Sequence, residues 1–143
     1  MSYMFKQKFN ISDLVDLQQK QLFVVVAEPI TDLAALYKRY LSQSGFVVNH
    51  HSDAESLHAA LGVLQPDVLL LSSQQYEKVN QVVAAVKKAL EQNPKLYIIT
   101  VGFDTPSDHL QQYMNAGIAS HINRKTSRPN DVVDIIHTLF NQE

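Results

Sequence analysis

Two unbroken apolar runs, LFVVVAE (Leu22 to Glu28) and DVLLL (Asp67 to Leu71), do most to limit what this chain can fold into. A strand with one face in water alternates apolar and polar residues. A valine- or leucine-rich run without that alternation suits a strand covered on both faces, as in a parallel sheet. Parallel strands cannot be joined by hairpins and need long crossovers, usually helical. The segments between the apolar runs have the spacing of helices.

The first crossover carries Leu33, Leu36, Tyr37, Tyr40 and Leu41 at helical spacing and stops at Gly45. FVVNHH is a weaker second strand. In the next helix Ser52 and Glu55 have the spacing of a capping box, and Leu57, Ala60, Leu61 and Leu64 form the apolar stripe. DVLLL is the third strand. Val79, Val82, Val83, Val86 and Leu90 mark a third helix, closed by Asn93-Pro94. KLYIITVG is the fourth strand, and a helix follows with Thr105 as N-cap, Pro106 in its first turn and Gly117 as its stop. ASHIN is a short fifth strand. Val132, Val133, Ile136, Leu139 and Phe140 make the face of a last helix. Right-handed crossovers put helices on both sides of one sheet. The expected fold is therefore α/β: a five-stranded doubly wound parallel sheet of the flavodoxin-like kind, in order 2-1-3-4-5. Residues 1–20 form an extension, with Phe5, Phe9, Ile11, Leu14, Val15 and Leu17 in a polar background and Ser12 able to cap a helix. An extra N-terminal helix is expected there, ahead of a domain over 21–143.

The bulk properties remove several function classes. The 143 residues suffice for one domain with a real core. There is no cysteine, which excludes disulfides, thiolate metal sites and a cysteine nucleophile. A formal net charge of -2 argues against a dedicated nucleic-acid binder or a binder of anionic membranes. No apolar run approaches the roughly 18 residues of a membrane span, and the first residues lack the apolar core of an export signal. A cytoplasmic location is expected.

KRYLSQSGF running into DAESLHAAL, then QPDVLLL, MNAG and KTSRPNDVVDII, carry a resemblance that spans Gln21 to Asn141. In order and spacing they resemble the receiver domain of bacterial response regulators, the CheY-like family of two-component phosphorelays. The resemblance implies an aspartate after strand three that accepts a phosphoryl group, and an acidic pair after strand one that helps it to hold Mg²⁺. It also implies a Thr or Ser after strand four and a Lys after strand five that engage the phosphate. Mg²⁺ wants carboxylate oxygens, and a carboxylate can be a phosphoryl acceptor.

Carried onto this sequence, the acceptor position falls on Ser72 and the acidic pair on Glu28 and Pro29. The Thr/Ser position falls near Gly102, with Thr100 close by. The lysine position falls on Arg124 by spacing from Gly117, or on Lys125 by spacing to Pro129. The pocket is thus degenerate, with no acceptor aspartate and no catalytic or metal-binding residue assigned. Asp67 does not stand in: five residues from Ser72 along a strand is roughly 16 Å. Asp104 could approach from the fourth loop.

Other chemistries fit less well. Ser72 and Ser73 lack a nucleophile elbow and a histidine at another strand tip, so they read as strand terminators bonded to free backbone groups. His50 and His51 are adjacent on a strand and point to opposite faces, which does not suit one metal ion. The AEPITD loop has no glycine-rich phosphate cradle, and EPITDL does not match the histidine box of cobalamin-binding domains. Lys38-Arg39, Lys87-Lys88 and Arg124-Lys125-Arg128 are small basic clusters, and no recognition-helix unit follows. The expectation is a non-enzymatic pseudo-receiver without cofactor that signals through protein–protein contact. A small-ligand sensor in the vacated pocket, a cobalamin-binding-like module and a phosphorelay receiver with a non-standard acceptor are the alternatives. By the resemblance, partners or a second copy would meet the fourth helix, fifth strand and fifth helix, with Tyr113, His121, Arg124, Lys125 and Arg128 on or near that surface. The N-terminal helix is the other candidate dimer element.

Overall fold

A computed structural model of the protein describes residues 21–141. The expected N-terminal helix and the boundary at residue 20 lie outside the described residues. Five strands, β1 (Phe23–Ala27), β2 (Val47–His51), β3 (Val68–Ser72), β4 (Tyr97–Gly102) and β5 (Ser120–Asn123), alternate with five helices. The helices are α1 (Thr31–Gln43), α2 (Ala54–Leu61), α3 (Val79–Gln92), α4 (Ser107–Ala116) and α5 (Asp131–Phe140). All strand pairs are parallel, in the order β2-β1-β3-β4-β5.

The sheet separates two apolar layers because successive strand side chains face opposite ways. Val24, Val26, Val68, Leu70, Ile99, Val101 and Ile122 pack under α1 and α5. Val25, Ala27, Leu69, Leu71 and Ile98 pack under α2, α3 and α4. β3 is buried along its whole length, which is what its unalternating leucines require. Asp67 opens β3 at the amino end of the sheet, where its carboxylate accepts the Phe23 N–H at 2.8 Å.

Two caps differ from the sequence expectation. Asp53, not Ser52, caps α2, accepting the Ser56 N–H at 2.8 Å. A carboxylate is the stronger acceptor and complements the helix dipole. Helix α4 begins at Ser107 after Pro106, and Thr105 does not cap it. The Thr105 hydroxyl instead lies over Gly102, where an added Cβ would collide with it. Gly117 ends α4 in the left-handed region at φ 117°, as its place after the last apolar turn implies.

Candidate functional site: the strand tips

Glu28 follows β1 directly, and Ser72 is the last residue of β3. Both continue the layer that faces α1 and α5. Both are buried, at 1% exposure each, and so they meet beneath the loops. The chain leaving β5 brings Arg124 over the same tips, its N–H bonded to the Gly102 carbonyl at 2.8 Å.

Arg124 turns inward. Its Nη2 forms an ion pair with Glu28 Oε1 and donates to Ser72 Oγ at 3.0 Å. Its Nη1 donates to Gln74 Oε1 at 2.8 Å. The other Glu28 oxygen accepts the Ile30 N–H at 3.0 Å, across Pro29. Ser72 Oγ also accepts the Gln74 N–H at 3.2 Å, closing the turn after β3. The Tyr37 phenol on α1 lies against the same guanidinium. Burial pushes its pKa up, and the Arg124 charge opposes that rise. Arg124 Nε is buried with no partner among the described residues.

A guanidinium thus lies between the acid and the serine at the tips of the central strands. The charge of Glu28 is matched inside the protein, and both its oxygens are engaged. A Mg²⁺ ion of receiver type does not fit this donor set: Mg²⁺ needs free carboxylate oxygens beside its waters, and the one buried carboxylate here is already neutralised by the Arg124 guanidinium, a cation that would repel the ion. Among the described residues no group of three acidic, histidine or cysteine side chains could hold a metal.

The opposite face of the sheet carries a second polar group. Thr100 is fully buried, and its Oγ1 lies 2.8 Å from His121 Nδ1, its register partner on β5. His121 Nε2 is buried without a partner among the described residues. Burial lowers the His121 pKa. The His58 pKa is also lowered, first by burial and then by Lys88. A histidine with a lowered folded pKa is protonated more readily in the unfolded chain. Its neutral form therefore supports the fold above about pH 6.5, and that support is lost as pH falls through the folded value. Denaturant unfolding at stepped pH should show stability falling below about pH 6.5, with a shallower fall in His121→Gln. An unchanged slope in that variant would exclude His121 as a source.

The residues singled out in the sequence divide as follows. Glu28, Ser72 and Arg124 come together; Pro29 bridges the turn and makes no hydrogen bond there. Gly102 lies on the His121 side. Lys125 is outside the pocket, more than half exposed, and pairs with the equally exposed Asp104 at 3.2 Å. Arg128 is exposed beside Asp131. Tyr113 corrects the surface expectation: at 3% exposure it belongs to the core under α4 and cannot lie on an outer surface. Arg124, at 11% side-chain exposure, is withdrawn from that surface as well. Gln74 and Tyr37 were missed. Gln74 follows Ser72 by two residues, a spacing that could have suggested it; Tyr37 carried only the signal of a core helix position.

No protein-family model matches the sequence, and no curated protein matches it. Solved structures do. A receiver domain protein (CheY-like) from Methanospirillum hungatei JF-1 aligns at TM-score 0.77 and 16% identity, over 86% of this chain and 96% of that one. A response regulator from Thermotoga maritima aligns at TM-score 0.75 and 13% identity, over 85% and 99%. HP1043, an orphan response regulator of H. pylori, aligns at TM-score 0.73 and 14% identity, over 82% and 94%. The likeness is one of fold: this chain has the fold of response regulator receiver domains.

Proposed function

We propose that this chain is a receiver-fold signalling module that acts by binding other proteins and is not switched by aspartyl phosphorylation. The reading rests on the Arg124 guanidinium, which is held between the Glu28 carboxylate and the Ser72 hydroxyl. An acceptor carboxylate and its Mg²⁺ need that place. A cation built into the chain holds the loops after β1, β3 and β5 together without either. The module then has one resting arrangement of its tips and no catalytic role, and it works in the cytoplasm. Its contact surface, by analogy with the fold, is α4, β5 and α5, where Met114, Lys125 and Arg128 are exposed; a dimer through it would be isologous. A ligand sensor is less well supported, because a ligand at the strand tips would first have to displace Arg124 from Glu28.

Incubation of the full chain with Mg²⁺ and acetyl phosphate tests the reading. Intact mass should show no added phosphoryl group. A stoichiometric, acid-stable and base-labile phosphate would overturn it. Ser72→Asp should not restore the chemistry either. It supplies an acceptor, but the Mg²⁺ pair stays incomplete and Arg124 already holds the position. Stoichiometric acyl phosphate on Ser72→Asp would show that the missing acceptor is the only defect.

A further inference from the structure

At the amino end of the sheet, opposite the strand tips, two grooves lie on either side of Phe140. One, of about 400 Å³, has Leu22, Phe46, His137 and Phe140 among its walls and Gln21 and Gly45 at its rim. The other, of about 610 Å³, runs past Pro66, Leu96 and Tyr97 to the same Phe140. Aromatic pairs stand in their walls. Phe140 meets Tyr97 edge-on at 4.8 Å between centroids, and His137 lies 5.5 Å from Phe46. Leu22, Tyr97 and Phe140 are only partly buried in this arrangement, so large apolar side chains stay open to water where α5 ends.

Gln21 leads into that place. Its side chain donates to the Gly45 carbonyl at 2.9 Å, which fixes the chain at the rim of the smaller groove. Directly before it stand Gln18, Gln19 and Lys20, a polar tether. Before that stand Leu14, Val15 and Leu17. Leu17 lies four residue steps before Gln21, and at about 3.3–3.6 Å per step it stays within roughly 14 Å of the rim. A short tether of this kind sets an effective concentration on the order of millimolar or above. A free partner or a second copy has to compete against that advantage.

We infer that residues 12–17 of the same chain dock in the groove formed by Leu22, Phe46, His137 and Phe140, with Leu14 and Leu17 as the apolar anchors. The groove is then an intramolecular docking site that covers the end of α5, independent of how the strand tips are used.

The absence of cysteine makes a direct test possible. In the full chain, Leu17→Cys is combined with Ser44→Cys at the groove rim. A second chain combines Leu17→Cys with Val47→Cys, which the tether also reaches, because the Val47 N–H bonds the Leu22 carbonyl, but which is exposed on the other face of the sheet. The rim pair should close within one chain on the order of 10-fold faster than the Val47 pair, whereas tethering alone gives similar rates. Equal rates, or a disulfide-linked dimer as the main product of the rim pair, would overturn the inference; the dimer would mean that the segment docks on a second copy. Amide hydrogen exchange on the cysteine-free chain gives a second reading. Leu14→Asp combined with Leu17→Asp should speed exchange at Phe46 and Asn141 while amides of β3 keep their protection. Unchanged exchange at both sites would count equally against docking.

Discussion

Arg124→Ala should cost the protein about 3–5 kcal/mol of unfolding free energy, the range for breaking a buried ion pair by removing one partner. Glu28 is almost fully buried, and Arg124 is the partner of one of its two oxygens. The alanine leaves a buried carboxylate held only by the Ile30 N–H, with Ser72 Oγ and Gln74 Oε1 losing their donor in the same step. Denaturant unfolding would measure the loss. The second half of the experiment separates charge from packing. In Arg124→Ala with Glu28→Gln, the uncompensated charge is gone, and most of the stability should return. Equal instability of the single and double variants would mean that Arg124 matters through its stem and not through its charge. A neutral Arg124→Ala would remove the basis for treating the guanidinium as the permanent occupant of the strand tips.

Ile136→Ala should cost about 2–5 kcal/mol, as for other large-to-small changes at fully buried aliphatic positions. Ile136 is the inward residue of α5, at 0% exposure, and packs in the layer with Val24, Leu70, Ile99 and Ile122. Ile136 carries no polar atom on its side chain, so the loss is chiefly one of transfer and cavity. Leu139, one turn on and only partly buried, gives an internal comparison: Leu139→Ala should cost distinctly less. The pair also tests the surface proposed for partners. If Ile136→Ala cost no more than Leu139→Ala, α5 would not be anchored through Ile136, and a rigid contact face built on it would be untenable.

The fold was legible because burial leaves its pattern on sequence. VLLL without polar alternation, too short for a buried helix, suits a strand covered on both sides, and the helical stripes that follow each run supply the covers. The five strands and their alternation with helices follow from those patterns, and the order of the sheet is a common winding of such units. Cap residues were less legible. Ser52 and Asp53 are neighbours of similar capping ability, and a shift of one residue is below what spacing resolves. Tyr113 shows the same limit at a surface: a tyrosine on an amphipathic helix suits the inner face as well as the outer one.

The sequence alone determined that this chain builds a doubly wound parallel sheet. It did so because strand periodicity and turn spacing are local. Only the tertiary structure showed that Arg124 turns in over the strand tips and Lys125 turns out, a matter of position. The N–H of Arg124 is tied to Gly102, and its guanidinium reaches Glu28 from 96 residues away in the chain, while Lys125 goes outward to Asp104. The pairing of one acid with one base across three strand tips depends on the sheet bringing β1, β3 and β5 to a common end. No local pattern encodes it, because its members are neighbours only after the core beneath them has formed.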